Sequence, residues 1–206
     1  MPATHRAVPC PQSDSIDTGL YQEALAELAQ ALPKMDVQVS TESGGLFDVA
    51  AQLQTLATLK PAWISLSIRE VARDMTLVDR VYGTCADNGT IVQHILFDEA
   101  DAQLLADWQA NGLVRPDQDT AILVLGRYTK DMNSDPDALA PFVAALPALR
   151  RWMLCAFGPQ EHACLRAAVK LGGDVRIGFE NSHVDHAGVP HRDNAESIAK
   201  FRDSLS

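Results

Sequence analysis

The sequence predicts an α/β protein, a TIM-type (β/α)8 barrel that is N-terminally truncated to about six βα units. Short apolar runs alternate with longer amphipathic runs, which is typical of repeated βα units around a parallel sheet. Small or polar residues follow one strand after another, and in a barrel those strand ends meet on one face. The 206 residues, of which 47% are hydrophobic, suffice for the core of one domain.

The predicted elements follow from apolar periodicity and from helix start and stop signals. Strands rich in Val, Ile, Leu or aromatic residues are predicted at 37–40, 63–67, 91–97, 121–125, 152–156 and 175–179. Helices are predicted at 18–32, 48–59, 75–87, 99–111, 136–146, 159–171 and 194–204. Gly83 weakens the third helix, since glycine costs up to about 1 kcal/mol relative to alanine within a helix.

An open, doubly wound sheet is the alternative to a barrel. The chain lacks a G-x-G-x-x-G after its first strand and has no P-loop, so it lacks the phosphate-binding turns of many open sheets. The barrel is favoured because the polar strand ends would converge on a single cavity. These positions include Ser40, Thr41, Ser65, Ser67, Gln93, His94, Arg127, Arg176 and Glu180.

Composition limits the function classes. The net charge of −10 argues against a nucleic-acid-binding surface, which needs clustered Lys and Arg. The sequence shows neither a secretory signal nor an apolar run long enough to span a membrane, so we expect a cytoplasmic protein. Cys10, Cys85, Cys155 and Cys164 lie far apart without a C-x-x-C pair, and we expect reduced thiols.

Seven ordered segments resemble the β-keto acid cleavage enzyme family. They run from about Asp14 to the C-terminus, in family order and at family-like spacing. The segments are SIDTGLYQEAL, VQVSTESGG, WISLSIRE, IVQHILFD, ILVLGRY, WMLCAFG and, above all, GGDVRIGFEN followed by DNAE.

The resemblance implies an eight-stranded barrel that binds one Zn²⁺ and condenses a β-keto acid with acetyl-CoA, giving acetoacetate and a new CoA thioester. Glu180 matches the glutamate that binds the metal. Arg176 matches an arginine of a polar pair that supports proton transfer. Asn181 stands where relatives usually carry Asp, and an amide cannot accept a proton as a carboxylate does.

The substrate positions are also carried over from the resemblance. Ser40 and Thr41 match the stretch that contacts the carboxylate of the keto acid, and Ser65 and Ser67 match small polar positions of the next strand. The expected partners are a small β-keto acid, acetyl-CoA and further copies of the chain in a homo-oligomer. Neither nucleic acid nor a membrane is expected.

The family holds its zinc with a His-x-His pair after its second strand as well as with the glutamate. His5 stands near that place, but no second His lies two residues away. Residues 1–13 contain Pro2, Pro9 and Pro11 and suggest an atypical N-terminal arm, followed by one partial barrel domain over 14–206. The expected cause is a late or out-of-frame start, so that upstream sequence encodes two more strands. There are two alternatives. A second chain could complete the sheet, or the protein could be a decayed relative without activity.

Other candidate residues keep two interpretations. His183, His186 and His191 could bind a substitute metal ion near Glu180, or could be solvated loop residues. His94 could face the cavity or the core. Arg127 and Lys130 could meet the phosphates of CoA or be solvated, and Cys155 is expected to be a core thiol. A non-catalytic protein that binds a small acid or a partner chain through open sheet edges is the alternative function.

Overall fold

The computed structural model describes residues 15–205. Within them, six parallel strands form one sheet in sequence order, with β1 and β6 at its edges. The strands are β1 Val39–Ser40, β2 Trp63–Ser67, β3 Ile91–Leu96, β4 Thr120–Leu125, β5 Arg151–Ala156 and β6 Asp174–Val175. The sheet is therefore the open form of the predicted barrel.

Helices connect the strands, as parallel pairing requires. They are α1 Thr18–Ala31, α2 Val49–Leu59, α3 Ile68–Val71, α4 Val78–Asp87, α5 Glu99–Ala110, α6 Leu139–Ala144, α7 Glu161–Lys170 and α8 Asn194–Asp203. Short 3-10 turns cover Lys130–Met132 and Pro136–Ala138. Four helices follow an N-cap aspartate whose side chain accepts a backbone N–H of the first turn, namely Asp17, Asp48, Asp98 and Asp193.

The structure confirms the order of the predicted strands and helices, adds the short helix α3, which was not predicted, and shifts several boundaries. The sixth strand was predicted at 175–179, but β6 ends at Val175 and residues 178–181 form a turn. The third helix was predicted from residue 75, but α4 begins at Val78. Gly83 lies inside α4, where the side chain of Arg115 covers it.

Each face of the sheet has its own apolar cluster. The outer face packs against the helices and forms the main core, which includes Leu66, Leu96, Leu123 and Leu154. A smaller cluster on the inner face contains Ile95, Ile122, Val124, Cys155 and Phe157. This inner face is the one that a closed barrel would enclose.

The predictions on membrane spans, on thiols and on the N-terminal arm stand as follows. No helix within residues 15–205 is both long and apolar enough to cross a membrane. Cys85, Cys155 and Cys164 are free and buried. The predicted N-terminal arm, with Cys10 and His5, lies outside the described residues.

Candidate functional site

A polar cavity of about 250 Å³ lies at the carboxyl ends of the strands. Four of the seven residues that the family resemblance assigns to the site line this cavity, namely Ser40, Ser65, Arg176 and Glu180. The remaining lining residues are Gln38, Glu42, Ile95, Phe97, Ile122, Val124, Arg127, Cys155 and Phe157. All six strands, or the segments next to them, thus contribute to a single site.

The loop after β1 is held in place by a buried carboxylate. Glu70 accepts the backbone N–H of Ser43 at 3.2 Å and that of Gly45 at 2.6 Å. Its second oxygen accepts from Nε2 of Gln52 at 2.9 Å. Because these bonds satisfy buried donors, they fix the path of the chain that follows Ser40 at the cavity wall.

Arg176 is the centre of the site's hydrogen bonding. Its Nη2 donates to Oε2 of Glu180 at 3.2 Å and to Oδ1 of Asn181 at 3.3 Å. The same nitrogen lies 3.6 Å from Sγ of Cys155. The structure therefore brings the three residues predicted from the strand-end motif into direct contact.

Glu180 stands at the mouth of the cavity. Its side chain is 69% exposed and pairs with Arg176. A strand was predicted over 175–179 with Glu180 at its end, but the strand stops at Val175. Glu180 belongs to a turn in which the N–H of Asn181 donates to the carbonyl of Gly178 at 2.8 Å. This turn, and not an extended strand, brings the carboxylate of Glu180 next to the guanidinium of Arg176.

Asn181 is buried behind the cavity wall. Its Nδ2 donates to the carbonyl of Arg176 at 3.2 Å and to Oε1 of Glu161 at 3.3 Å. Its own carbonyl accepts the N–H of Gly158 at 3.0 Å. The side chain of Asn194, the first residue of α8, accepts the N–H of Phe179 at 2.9 Å. The turn is thus anchored to α7 and α8.

Glu161 is a site residue that the sequence did not reveal. It begins α7, where an acidic residue ordinarily complements the helix dipole at the surface. Here the side chain is buried, and burial raises the pKa of Glu161 to about 7. Hydrogen bonds from Asn181 and the N–H of Gly178, together with the charge of Arg176, oppose that rise only in part.

The described residues do not fit a zinc ion by themselves. Structural and catalytic zinc sites use at least three protein ligands. Within residues 15–205 no group of three or more His, Cys, Asp or Glu side chains could hold a metal ion. The one carboxylate that the resemblance assigns to zinc, Glu180, is paired with Arg176.

Thr41 and Ser67 do not line the cavity. The hydroxyl of Thr41 is fully buried and donates to Oε1 of Gln52, on α2, at 3.2 Å. Ser67 is buried at the end of β2, next to the start of α3. The role of both residues in substrate binding stays a prediction, whereas Ser40 and Ser65 lie where a substrate could reach them.

His94 faces the core. It is fully buried, its Nδ1 lies 3.3 Å from the hydroxyl of Tyr82, and its Nε2 lies 2.9 Å from the carbonyl of Gln118. Burial lowers the pKa of His94 to about 4, against the opposing hydrogen bond to Gln118. Of the two interpretations, the structure shows the core histidine.

The three histidines after Glu180 do not converge. His183 and His186 are exposed, while His191 is buried. The ring of His191 stacks on that of His162, with centroids 5.5 Å apart. This stacking links the loop after β6 to α7. Within the described part of the chain, the three histidines form no metal-binding group with Glu180.

Arg127 and Cys155 line the cavity, whereas Lys130 does not. Arg127 lines it, with its guanidinium carbon 5.2 Å from the ring centroid of Phe157, whereas Lys130 is exposed in a 3-10 turn. Cys155 was expected to be a core thiol. It is fully buried yet touches Arg176 at the cavity wall, and burial raises its pKa to about 11.

Two of three comparisons with known proteins gave a match. A family model described as beta-keto acid cleavage enzyme matches residues 4–206. No curated protein matches the chain. A solved structure of type I 3-dehydroquinate dehydratase from Clostridium difficile, with covalently modified comenic acid, is similar with a TM-score of 0.63. The two are 10% identical, and the match covers 92% of this chain and 76% of the dehydratase chain. At this identity the likeness shows the fold alone.

Proposed function

The chain belongs to the beta-keto acid cleavage enzyme family, and we propose that its strand-end cavity binds a β-keto acid and cleaves it with acetyl-CoA as co-substrate. The observation that supports the proposal is the position of Arg176. Its guanidinium lies in the wall of a small polar cavity that Ser40 and Ser65 also line. A guanidinium with hydroxyl groups nearby suits a small carboxylate or an enolate oxygen.

In the proposed reaction C2 of the keto acid loses a proton and bonds to the acetyl carbonyl carbon, and the acetyl C–S bond breaks to release CoA thiolate. The thiolate then bonds to C3, the bond between C2 and C3 breaks, and C2 takes a proton back. The products are acetoacetate and the CoA thioester of the remaining acyl group. Negative charge develops on a carbonyl oxygen during both steps. Arg176 would stabilise that charge, while the hydroxyls of Ser40 and Ser65 would orient the carboxylate.

A panel of β-keto acids labelled with ¹³C at C2, each mixed with acetyl-CoA, tests the proposal. We expect the label at C2 of acetoacetate and a new acyl-CoA for at least one acid. The methyl ester of that acid is the matched control, because it keeps the ketone and lacks the carboxylate. Equal turnover of the ester, or no acetoacetate from any acid, would contradict the proposal.

A non-catalytic binding protein is the second candidate. The observation that favours it is the open sheet, whose edge strands β1 and β6 each have one neighbour within the described residues. Unpaired strand edges present backbone donors and acceptors to other chains. Saturable binding of the keto acid without any acetoacetate, in a protein that is folded, would favour this candidate over the enzyme.

A further inference from the structure

A buried carboxyl lies behind the cavity wall and contacts the amide that meets Arg176. Glu161 is 1% exposed, and its Oε1 accepts from Nδ2 of Asn181 at 3.3 Å. Oδ1 of the same amide accepts from Nη2 of Arg176 at 3.3 Å. Three side chains thus form one line of hydrogen bonds from the core to the cavity.

The direction of this amide depends on Glu161. An amide donates only through its nitrogen and accepts only through its oxygen, and a guanidinium only donates. With Oδ1 toward Arg176, Nδ2 of Asn181 must find acceptors on the other side, and it finds Glu161 and the carbonyl of Arg176. A flipped amide would place donor against donor at Arg176 and carbonyl against carboxyl at Glu161. Both arrangements are costly when buried.

We propose that Glu161 is a positioning residue of the β-keto acid site, which holds the amide of Asn181 so that its oxygen orients the guanidinium of Arg176 at the cavity. This inference rests on the proposed function, because it takes the cavity as the substrate site. Glu161 is not among the residues that line the cavity. It acts through Asn181 and Arg176.

The charge of Glu161 strengthens this positioning. The carboxyl of Glu161 is buried, and this burial is the cause of its raised pKa. The ionisable groups around it are Arg176, Cys155 and Cys164, with Glu180 beyond Arg176. Burial raises the pKa of both thiols, so they are neutral near pH 7. An ionised Glu161 therefore meets the charge of Arg176.

Ionisation above neutral pH makes Glu161 a stronger acceptor and draws the guanidinium toward the amide. We therefore expect Arg176 to sense the titration of Glu161. NMR of the full chain, labelled with ¹³C at the Glu carboxyls and ¹⁵N in Arg, measures both. One carboxyl should titrate near neutral pH, and the Nε–H resonance of Arg176 should shift with the same midpoint.

Glu161→Gln should abolish both titrations, because it keeps an acceptor for Asn181 and removes the charge. Glu99→Gln is the matched control, since Glu99 is the exposed first residue of α5 as Glu161 is the buried first residue of α7. It should leave both titrations unchanged. A resonance of Arg176 that does not follow the carboxyl, or a neutral-pH titration that survives in Glu161→Gln, would overturn the proposal.

A residue swap tests the geometry apart from the charge. Asn181→Asp places two carboxyls within hydrogen-bond distance, which should lower the thermal midpoint of unfolding. The double variant Glu161→Gln, Asn181→Asp restores one amide and one carboxyl and should recover most of that loss. A double variant no more stable than Asn181→Asp would show that the two side chains do not act as a pair.

Turnover separates this inference from the proposed function. In the wild type kcat/KM should rise with pH through the titration of Glu161, and in Glu161→Gln that limb should vanish, with a value about 10-fold lower at high pH. If the wild type turns over no β-keto acid, the proposed function fails, whereas the coupling of Glu161 to Arg176 is still decided by NMR. Turnover with an unchanged pH limb in Glu161→Gln would overturn the positioning role alone.

Discussion

Nη2 of Arg176 lies 3.2 Å from Oε2 of Glu180 and 3.3 Å from Oδ1 of Asn181. One guanidinium nitrogen therefore meets a solvent-facing carboxylate and a buried amide, at the cavity wall. In the proposed reaction a substrate carboxylate would compete with Glu180 for this nitrogen, while Asn181 is buried and its contact is sheltered from water.

Replacing Arg176 tests its place in the site. Arg176→Lys keeps the charge, but a single ammonium cannot reproduce the planar set of donors that reaches both neighbours. We expect kcat/KM for the β-keto acid to fall about 100-fold, measured as acetoacetate formed from acetyl-CoA. Arg80→Lys, on the exposed side of α4, should match the wild type. Unchanged kcat/KM in Arg176→Lys would remove Arg176 from the proposed chemistry.

Glu70 should be essential for the loop that follows β1. Glu70→Ala leaves the N–H groups of Ser43 and Gly45 and the amide of Gln52 without their acceptor. We expect the free energy of unfolding, measured by urea denaturation, to fall by about 3 kcal/mol. Glu23→Ala, at an exposed position of α1, is the control and should change it little. A similar small change for both variants would argue against this anchoring role.

Gly173 packs against an aromatic ring. A Cβ at this position would overlap the six-membered ring of Trp152, at the start of β5. Gly173→Ala should therefore lower the free energy of unfolding by about 1–3 kcal/mol, as overpacked core positions do. Gly178→Ala is the comparison, since a Cβ there meets nothing within 4 Å. Thermal unfolding of the two variants is the measurement. An equal loss of stability in both variants would contradict the close packing of Gly173 against Trp152.

His94 should make the protein sensitive to acid. Its pKa is about 4 when folded, below the ordinary value of 6.5, so the unfolded chain binds the proton more tightly. Stability is then fully present above about pH 6.5 and falls as the pH drops toward 4, by about 3 kcal/mol in total. His94→Gln should lose less stability than the wild type over this interval, measured by urea denaturation at several pH values. An identical acid dependence in both would contradict the burial of a neutral imidazole.

The order of strands and helices could be predicted because apolar periodicity is a local property of the chain. β2, β3, β4 and β5 lie within a residue of their predicted bounds. β6 was predicted too long, since 175–179 alternates like a strand while the turn at 178–181 depends on contacts with Gly158 and Asn194. These partners are distant in sequence and leave no local signal.

The strand-end motifs by themselves placed Ser40, Ser65, Arg176 and Glu180 at one edge of a parallel sheet, because carboxyl ends of parallel strands share an edge. Only the tertiary structure decided which way neighbouring side chains turn: Thr41 toward α2, His94 into the core, and Glu161 toward Asn181, 20 residues away. Such choices follow from packing and from the need to pair buried polar groups. Neither is encoded in spacing along the chain.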